Sequence, residues 1–574
     1  MRKFLLGILV GLVLACVSGV VFFYAALRFA DRKPALPAQG TLVLRLEGPI
    51  PEGAPVEVPF PMFEDRSPAT VAEIWQALEW AAQDNRIRAV WLEPRFVQAG
   101  WGKLEELRAG IEKVRKAGKP VYAVLDAPGM REYFLATAAD RIFMTPEDLL
   151  DVKGLRIEAM YFKGTLDKLG VSVEVEHVGR FKDAGDTLVR DSMSPETREV
   201  LDSVLDTLYA RIVTLVSAAR KKTPDEMRAL IDQGPFLATA AKKAGLVDSL
   251  AYRDQVEKEL MQSARLSSMN RIALRDYLRA GGPASRRSRI ALVVAQGDIL
   301  RSSAGDFFGE GQFLAPGPLR RQLRMVADDP SIRGVIIRVD SPGGDAVASD
   351  EMLQDLRELS RKKPVVFSFS DVAASGGYYL AMTGDPLVAY PGTLTGSIGV
   401  LYGKANLKGL YDKLGISKDI LKRGHFADID SDVRPLTPES RKKLQEGLQS
   451  IYDGFLKRVS EGRRRPVADI DKVAQGRVWL GTQAREVRLV DELGGLDAAL
   501  QLLRKKANLS PGEPVRLIPY PGRRSIFDQL LAKRTETEAT AEFSALRTLV
   551  QKSGIAPWLT GGYLRVMPFA VEIR

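Results

Sequence analysis

Short apolar runs rich in β-branched residues alternate with amphipathic stretches along most of the chain. The runs GVIIRV from Gly334 and PVVFSFS from Pro364 flank DEMLQDLRELSRKK from Asp350, whose apolar residues recur at helical spacing. Consecutive apolar positions are typical of parallel strands that are covered by helices on both faces. The pattern therefore predicts α/β domains with parallel sheets.

Two long amphipathic helices are predicted after a Ser-Pro and a Thr-Pro pair. Ser194 and Thr437 would cap them, and Pro195 and Pro438 suit the first helical position, where no amide hydrogen is needed. Each helix carries an apolar stripe, which we interpret as core or subunit interface. The stripes are Leu201, Val204, Leu208, Ile212 and Leu215 in the first helix, and Leu444, Leu448, Ile451, Phe455 and Val459 in the second.

An internal repeat organises the chain. An offset of 245 positions pairs NRIRAVWLEP from Asn85 with PSIRGVIIRV from Pro330, and YFLATAAD from Tyr133 with YYLAMTGD from Tyr378. The same offset pairs FKGTLDKLGV with LKGLYDKLGI. A repeat this long indicates two copies of one domain rather than a solenoid.

The repeat and its flanks divide the chain into six segments. We predict a short N-terminal flank (1–3), an apolar segment (4–27), a first α/β domain (40–265), a linker (266–288), a second α/β domain (289–510) and a C-terminal tail (511–574). The linker contains LRAGGPASRRSR, which is rich in Gly, Ser and Arg. The repeat ends before the tail.

Residues 4–27 form one uncharged apolar run that follows Arg2 and Lys3. As a helix the run would span about 35 Å, enough for a bilayer core. A cleaved signal peptide and a lipoprotein signal ending at Cys16 are alternatives, but the run continues further past Cys16 than a signal peptide's apolar region does. We predict a single N-terminal transmembrane helix, and the flanking charges do not decide which side the domains face.

Composition excludes several kinds of chemistry. The chain of 574 residues has 83 Lys and Arg against 72 Asp and Glu, a net charge of +11, but no basic run is long enough to indicate nucleic-acid binding. The single cysteine excludes an internal disulfide, and the two histidines, His177 and His425, exclude a Cys/His metal cluster. We expect no metal, no cofactor and no nucleic-acid partner.

One serine differs between the two copies. Ser375 lies in DVAASGGYYLAM, where a strand is predicted to pass into a helix, and the repeat places Met130 opposite it. The first copy also lacks the glycine pair Gly376 and Gly377. Small residues are common at such turns, but duplicated domains share their packing residues. The difference therefore makes Ser375 a candidate nucleophile in the second copy.

The first copy in turn carries a lysine that the second copy lacks. VGRFKDAG from Val178 aligns without a gap with RGHFADID from Arg423, so that Lys182 faces Ala427. A serine nucleophile needs a base, and a lysine can serve if it is held neutral. Neutrality at pH 7 needs a pKa about three units below the usual value, a cost of roughly 4 kcal/mol that burial can supply. A surface lysine is the alternative interpretation.

A glycine turn lies one predicted strand before Ser375. VDSPGGDA from Val339 reads as a strand, a Gly-rich turn and a helix, without the Gly-Lys-Ser/Thr of a phosphate-binding loop. A glycine pair at such a turn is usually geometric. In a parallel sheet, however, backbone amides of Gly343 or Gly344, with that of Gly376, could stabilise an oxyanion.

The motifs VDSPGGD, DVAASGGYYLAM, TLTGSIGVL and VGRFKDAG together resemble those of the signal peptide peptidase A family, membrane-bound serine proteases also called protease IV, in its long tandem form. The resemblance covers roughly residues 4–510. It implies the ClpP/crotonase fold in both copies, and a homo-oligomeric ring, commonly a tetramer. It implies remnant signal peptides and other small or unfolded chains as substrates. It also implies a single-pass protein of the bacterial inner membrane with periplasmic catalytic domains.

The resemblance also assigns the site residues. It makes Ser375 the nucleophile and Lys182 the general base of a Ser-Lys dyad that forms an acyl-enzyme. Gly376, Gly343 and Gly344 become the oxyanion donors. These assignments place one active site across both copies of the repeat.

We interpret Ser397, in TGSIG, as a structural residue that could also lie near the dyad, and Asp345 is a second residue that could lie near it. Three alternatives stay open. The first is a serine hydrolase with His425 as its base, and the second is a membrane scaffold that kept the fold and lost catalysis. The third is a crotonase-type enzyme that acts on acyl-CoA, against which the anchor and Lys182 both count.

Overall fold

The computed structural model describes residues 34–53, 68–283, 288–301, 313–522 and 563–567, together with Ile573 and isolated positions before residue 19. The predicted transmembrane helix, residues 4–27, lies outside the described residues except at those isolated positions. Within the described ranges no helix is both long enough and apolar enough to cross a bilayer.

Parallel strands and covering helices build the first copy, as its apolar runs predict. Its strands are β1 (Gly40–Pro49), β2 (Ile87–Gln98), β3 (Val121–Val124), β4 (Arg141–Met144), β5 (Leu149–Leu150), β6 (Ser172–Val178), β7 (Phe236–Leu237), β8 (Ser249–Leu250) and β9 (Arg271–Ala273). Its helices are α1 (Val71–Gln83), α2 (Trp101–Lys116), α3 (Met130–Ala136), α4 (Lys163–Leu169), α5 (Asp186–Val189), α6 (Pro195–Ala219), α7 (Pro224–Ile231), α8 (Ala238–Lys243), α9 (Arg253–Ala264) and α10 (Leu274–Ala280). The sheet order is β8-β4-β3-β2-β1-β9, with every neighbouring pair parallel.

The second copy repeats this plan. Its strands are β10 (Ser288–Gln296), β11 (Asp298–Ile299), β12 (Phe313–Leu314), β13 (Ile332–Ser341), β14 (Gly343–Asp345), β15 (Val365–Ala374), β16 (Leu387–Ala389), β17 (Leu394–Gly396), β18 (Val400–Asn406), β19 (Val478–Leu480), β20 (Glu492–Leu493), β21 (Val515–Tyr520) and β22 (Tyr563–Val566). Its helices are α11 (Pro316–Asp328), α12 (Ala346–Lys362), α13 (Gly376–Leu380), α14 (Lys408–Leu414), α15 (Pro438–Arg463), α16 (Val467–Asp471), α17 (Gly481–Glu486) and α18 (Leu496–Lys506). The sheet order is β19-β17-β15-β13-β10-β21, and β16 pairs with β15 and β20.

Each copy ends with a strand that lies beside its own first strand. β9 pairs with β1 in the first sheet, and β21 pairs with β10 in the second. β9 and α10, with the buried Ile272 and Tyr277, occupy residues 271–280 of the segment predicted as a linker from residue 266. β21 lies in the segment predicted as the tail. Strands that pair with the two sheets therefore continue beyond residues 265 and 510. The three residues of β9 are too few to show a clear hydrophobic pattern.

The two long helices begin where their caps predict. Ser194 Oγ accepts a hydrogen bond from the Thr197 amide at the start of α6, and Thr437 Oγ1 accepts one from the Ser440 amide at the start of α15. Most residues of the apolar stripes are buried in the cores of the two copies, and only Leu215 and Ile451 are partly exposed. The stripes are packing surfaces, as expected.

A third sheet joins the copies. Its order is β12-β11-β14-β22-β18-β6, and it combines β6 of the first copy with strands of the second copy. β6 and β18 pair antiparallel over their whole length, from Ser172 opposite Asn406 to Val178 opposite Val400. This pairing carries the chain that follows β6 into the second copy.

Candidate active site

Ser375 lies between the end of β15 and the start of α13. Its backbone has φ of 53° and ψ of −114°, a conformation that residues other than glycine rarely adopt. The Ser375 amide donates to the Gly396 carbonyl at 2.8 Å, and the Tyr379 amide donates to the Ser375 carbonyl at 2.9 Å. A strained strand-to-helix turn held in this way is typical of serine nucleophiles.

Lys182 follows β6, so the β6–β18 pairing brings it to the second copy. Its Nζ atom lies 2.9 Å from Ser375 Oγ, 2.9 Å from Ser397 Oγ and 3.0 Å from the Ser397 carbonyl oxygen. Lys182, Ser375 and Ser397 are all fully buried. The structure thus places the lysine that only the first copy carries beside the serine that only the second copy carries.

Two glycines leave room for Lys182. A Cβ atom on Gly399 would lie 3.0 Å from Lys182 Cδ, and a Cβ atom on Gly476 would collide with the Lys182 backbone. The backbone of the same region is fixed, because the Phe181 amide donates to the Gln475 carbonyl at 2.7 Å. Sequence reasoning missed both glycines, since their role depends on a contact between the copies.

The glycine turn packs directly against the start of α13. A Cβ atom on Gly376 would lie 3.2 Å from Gly343 Cα. Gly344 has φ of 153°, and a Cβ atom there would collide with the Ile299 backbone, so only glycine fits. The Gly343 amide donates to Ser341 Oγ at 3.2 Å. The three glycines proposed as oxyanion donors therefore lie together, and the Gly343 amide already has an acceptor.

Of the two residues expected near the dyad, only Ser397 contacts it. Ser397 also has a positive φ of 50°, and its amide donates to the Arg477 carbonyl at 2.7 Å. Asp345 instead caps α12, where its Oδ1 atom accepts hydrogen bonds from the amides of Val347 and Ala348. Ser397 therefore orients Lys182, and Asp345 orients a helix.

Asp183 is the ionisable residue next to Lys182. Its side chain is buried, and the Thr197 hydroxyl donates to its Oδ2 atom. Burial raises the pKa of Asp183 to about 6, against the opposing effect of the Thr197 hydrogen bond. We therefore expect Asp183, next to Lys182, to change its charge in the weakly acidic pH range.

An extended segment of the tail lies beside the glycine turn. β22 pairs antiparallel with β14 on one side, with Arg565 opposite Gly344, and with β18 on the other side. The side chain of Leu564 is buried against Ala184 and Leu401. The space between the glycine turn and β18 is therefore occupied by an extended segment of the chain itself, with the Leu564 side chain buried.

The two histidines lie away from Ser375. His425 is exposed and contacts the edge of Phe426, with 4.6 Å between the ring centroids. His177 is also exposed, and its Nδ1 atom lies 3.1 Å from the Gly179 carbonyl oxygen. Among the residues that the structure describes, no group of three or more His, Cys, Asp or Glu could hold a metal ion. The candidate base in contact with Ser375 is Lys182, not His425.

The first copy carries a different arrangement at the corresponding place. Met130 begins α3 opposite Ser375, and Glu132 stands where the second copy has Gly377. The Glu132 carboxylate accepts hydrogen bonds from the amides of Val97 at 2.6 Å and Gly129 at 2.9 Å. A fixed carboxylate disfavours a second negative charge beside it, so this place is unsuited to an oxyanion.

Comparison with known proteins matches both copies. The model of peptidase family S49 matches residues 113–267 and 357–510. The chloroplastic serine protease SPPA of Arabidopsis thaliana is 35% identical over 446 residues, which cover 76% of this chain and 66% of the plant protein. Protease 4 of Salmonella typhi is 31% identical over 479 residues, 81% of this chain and 76% of the relative. Protease 4 of Haemophilus influenzae is 30% identical over 518 residues, 85% of this chain and 83% of the relative. The chain therefore belongs to peptidase family S49 and is a serine protease.

Proposed function

We propose that the chain is an endopeptidase in which Ser375 is the nucleophile and Lys182 is the general base. The observation that carries the proposal is the 2.9 Å separation of Lys182 Nζ and Ser375 Oγ, two atoms of fully buried residues. Burial favours the neutral amine, which has two N–H donors and one lone pair. The two Ser397 oxygens can take the donors, and the lone pair is then available for the Ser375 proton.

The reaction has two stages. In acylation, Ser375 Oγ attacks the carbonyl carbon of the scissile bond, and its proton passes to Lys182 Nζ. The tetrahedral intermediate collapses, Nζ returns the proton to the leaving amine, and an ester on Ser375 remains. In deacylation, Nζ takes a proton from water, the hydroxyl attacks the ester carbonyl, and Ser375 recovers its proton as the acid leaves.

Backbone amides would stabilise the tetrahedral oxyanion. Gly376 is the first residue of α13, where amides have no acceptor within the helix. Gly343 and Gly344 lie against it, which supports a second donor from the glycine turn. Because the Gly343 amide donates to Ser341 Oγ, it would have to exchange this hydrogen bond for one to the oxyanion.

We propose that the substrates are peptides bound as an extended strand. The position of β22 between β14 and β18 supports this, because main-chain pairing of a strand is independent of sequence. Leu564 against Ala184 and Leu401 supports an apolar subsite. Remnant signal peptides and small or unfolded chains, which the family resemblance implies, meet both requirements because they are flexible and rich in apolar side chains.

We propose further that residues 4–27 anchor the chain in a bacterial inner membrane. The long uncharged run supports the anchor. The family resemblance supports a single pass with both domains on the periplasmic side, and it supports a homo-oligomeric ring of four protomers. An anchor near the bilayer would hold the site close to signal peptides released there.

Active-site labelling tests the dyad. The full chain, purified in detergent, is treated with a rhodamine fluorophosphonate, together with Ser375→Ala, Lys182→Met and His425→Ala variants. We expect wild type and His425→Ala to be labelled at similar rates, Ser375→Ala not to be labelled, and Lys182→Met to be labelled about 10²- to 10⁴-fold more slowly. Wild type labelled no faster than Ser375→Ala would indicate a scaffold without catalysis. A label lost in His425→Ala and kept in Lys182→Met would instead assign the base to His425.

A further inference from the structure

The strand that leads to Ser375, β15, contains a bulge shortly before it ends. β13 and β15 pair in parallel with Val339 opposite Phe369 and then Ser341 opposite Ala373. One residue of β13, Asp340, therefore faces three residues of β15, which are 370–372. Bulges bend a strand and re-aim the side chains beyond them, and they recur next to active sites. We refer to residues 370–372 as the β15 bulge.

The start of α2, in the first copy, forms hydrogen bonds with the β15 bulge. Asp371 Oδ1 accepts a hydrogen bond from the Lys103 amide at 2.8 Å, and Asp371 Oδ2 accepts one from the Gly100 amide at 2.8 Å. A carboxylate of the second copy therefore caps a helix of the first copy. Cβ atoms on Gly100 and Gly102 would collide with Asp371 and Ser370, so the helix end fits closely against the bulge.

The side chain of Lys103 joins the two strands that lead into the site. Its Nζ atom lies 2.7 Å from Asp340 Oδ2 and 3.3 Å from Asp371 Oδ2, and its side chain is 8% exposed. Asp340 Oδ1 accepts a hydrogen bond from the Val372 amide, inside the bulge, at 3.2 Å. Lys103 thus pairs with two largely buried carboxylates that would otherwise repel each other across the bulge.

Lys103 stays charged in this position. Burial lowers its pKa, but Asp340, Asp371 and the nearby Glu52 outweigh burial and raise the pKa above its usual value. The lysine is therefore a fixed cation, unlike the neutral amine that the reaction requires of Lys182. The two lysines of the first copy would serve the second copy in different ways.

β13 and β15, the two strands that Lys103 joins, lead directly to the glycine turn and to Ser375. Asp340 precedes Ser341, whose Oγ atom accepts a hydrogen bond from the Gly343 amide of the glycine turn. Asp371 lies on β15, four positions before Ser375, which follows the end of this strand. A shift of the bulge would displace the nucleophile and the oxyanion turn relative to each other.

We propose that Lys103 is a positioning residue that fixes the β15 bulge and thereby aligns Ser375 with the glycine turn. The proposal rests on the proposed function of Ser375 and adds a second residue, after Lys182, that the first copy contributes to the site. Reaction rates fall about 10²-fold when reacting groups are misplaced by about 1 Å, so loss of Lys103 should appear in kcat more than in KM.

The matched control is Lys113, ten positions further along the same helix. Its Nζ atom pairs with Glu79 and with Asp497 of the second copy, so it also links the copies through buried or half-buried carboxylates. Lys113 makes no contact with the β15 bulge. Lys113→Met therefore also removes an ion pair between the copies, but the Lys113 side chain is 41% exposed against 8% for Lys103, so the folded fraction of each variant is measured beside its rate.

The test compares Lys103→Met, Lys103→Arg and Lys113→Met as full chains in detergent. The readouts are kcat and KM for fluorescein-labelled casein, the labelling rate of Ser375 with the rhodamine fluorophosphonate, and hydrogen exchange of residues 370–376. We expect Lys103→Met to lose kcat and labelling rate about 10²-fold, with KM within threefold, and to exchange faster at the bulge. Lys103→Arg should recover most of both rates, and Lys113→Met should resemble wild type.

The outcomes separate this inference from the proposed function. Wild type that is not labelled contradicts the proposed function itself. Labelled wild type with equally labelled Lys103→Met, at unchanged kcat, contradicts only the role of Lys103. If Lys103→Met does not fold, Asp340→Asn replaces it. An asparagine can still accept the hydrogen bond from the Val372 amide, but it forms no ion pair with Lys103. Wild-type kcat in Asp340→Asn would also overturn the proposal.

Discussion

The Nζ atom of Lys182 lies 2.9 Å from Ser375 Oγ, although the two residues are 193 positions apart and belong to different copies of the repeat. The antiparallel pairing of β6 with β18 creates this contact, because it extends the chain of the first copy across the second. Each copy carries one member of the pair. The site therefore exists only when both copies are folded and docked on each other.

The acidic limb of the pH–rate profile should report Lys182. We expect kcat/KM for casein to fall as the pH falls, because a protonated amine cannot accept the Ser375 proton. Asp183 needs a control, since burial raises its pKa to about 6. In Asp183→Asn the limb should persist and move to lower pH, because a nearby negative charge that favours the protonated amine is lost. A limb that vanishes in Asp183→Asn would belong to Asp183.

Ser397→Ala should weaken catalysis without weakening binding. The hydroxyl at 2.9 Å from Lys182 Nζ is lost, while the Ser397 carbonyl at 3.0 Å remains. One hydrogen bond is worth about 1 kcal/mol, so kcat should fall roughly five- to tenfold at constant KM. Ser217→Ala removes another buried hydroxyl, which donates to Thr214 within α6, and should leave kcat unchanged. Equal kcat in both variants would exclude a role for the Ser397 hydroxyl.

Gly399→Ala should press on the stem of Lys182. The added Cβ atom would lie 3.0 Å from Lys182 Cδ and 3.1 Å from Gly476 Cα, closer than ordinary van der Waals contact, so we expect the Lys182 side chain to be displaced. We expect a loss of at least about tenfold in the labelling rate of Ser375. Gly454→Ala, on α15 with open space around its Cβ position, should be labelled like wild type. Normal labelling of folded Gly399→Ala would show that the lysine stem has room to adjust.

The sequence predicts the sheets because the apolar runs repeat between the copies. It singles out Ser375 and Lys182 as candidate catalytic residues because these two residues do not repeat. Ser375 stands out against Met130, and Lys182 against Ala427, on sequence comparison alone. Gly399 and Gly476 do not stand out in this way. They matter because they touch Lys182 across the junction of the copies, and an alignment of one copy with the other contains no information about contacts between them.

Short strands and bulges also escape prediction. β9, with three residues, lies in a segment whose Gly, Ser and Arg content suggests a linker, yet Ile272 on this strand is buried beside β1. The β15 bulge, residues 370–372, is not apparent in the sequence because it contains no Gly or Pro that would mark it. Asp340 and Lys103 contact the bulge but are distant from it in sequence. No hydrophobic pattern along the chain links these positions.

Removal of the tail should ease access of peptides to the site. A chain that stops after residue 560 lacks β22, which lies between β14 and β18 where we propose that substrates bind. We expect KM for casein to fall several-fold, since substrates no longer compete with an intramolecular strand. The synthetic peptide GYLRVMPFAVEIR should inhibit the truncated chain more strongly than the full chain. An unchanged KM and no inhibition by the peptide would place substrate binding elsewhere.

Glu106 makes the junction between the copies sensitive to pH. It lies on α2, fully buried, 3.0 Å from Arg338 of β13. Burial raises the pKa of Glu106 to about 7, against the opposing charge of Arg338. The folded state therefore binds this proton more tightly than the unfolded chain, whose glutamate has a pKa near 4.5.

The stability that Glu106 contributes is complete below about pH 4.5 and is lost as the pH rises through 7, with a slope of up to about 1.4 kcal/mol per pH unit. We expect the thermal unfolding midpoint of wild type to fall between pH 5 and 7 relative to that of Glu106→Gln, which carries no proton to lose. Glu446→Gln, at an exposed position on α15, should follow wild type. A midpoint difference between wild type and Glu106→Gln that stays constant over this range would mean that Glu106 is ionised throughout, with Arg338 outweighing burial.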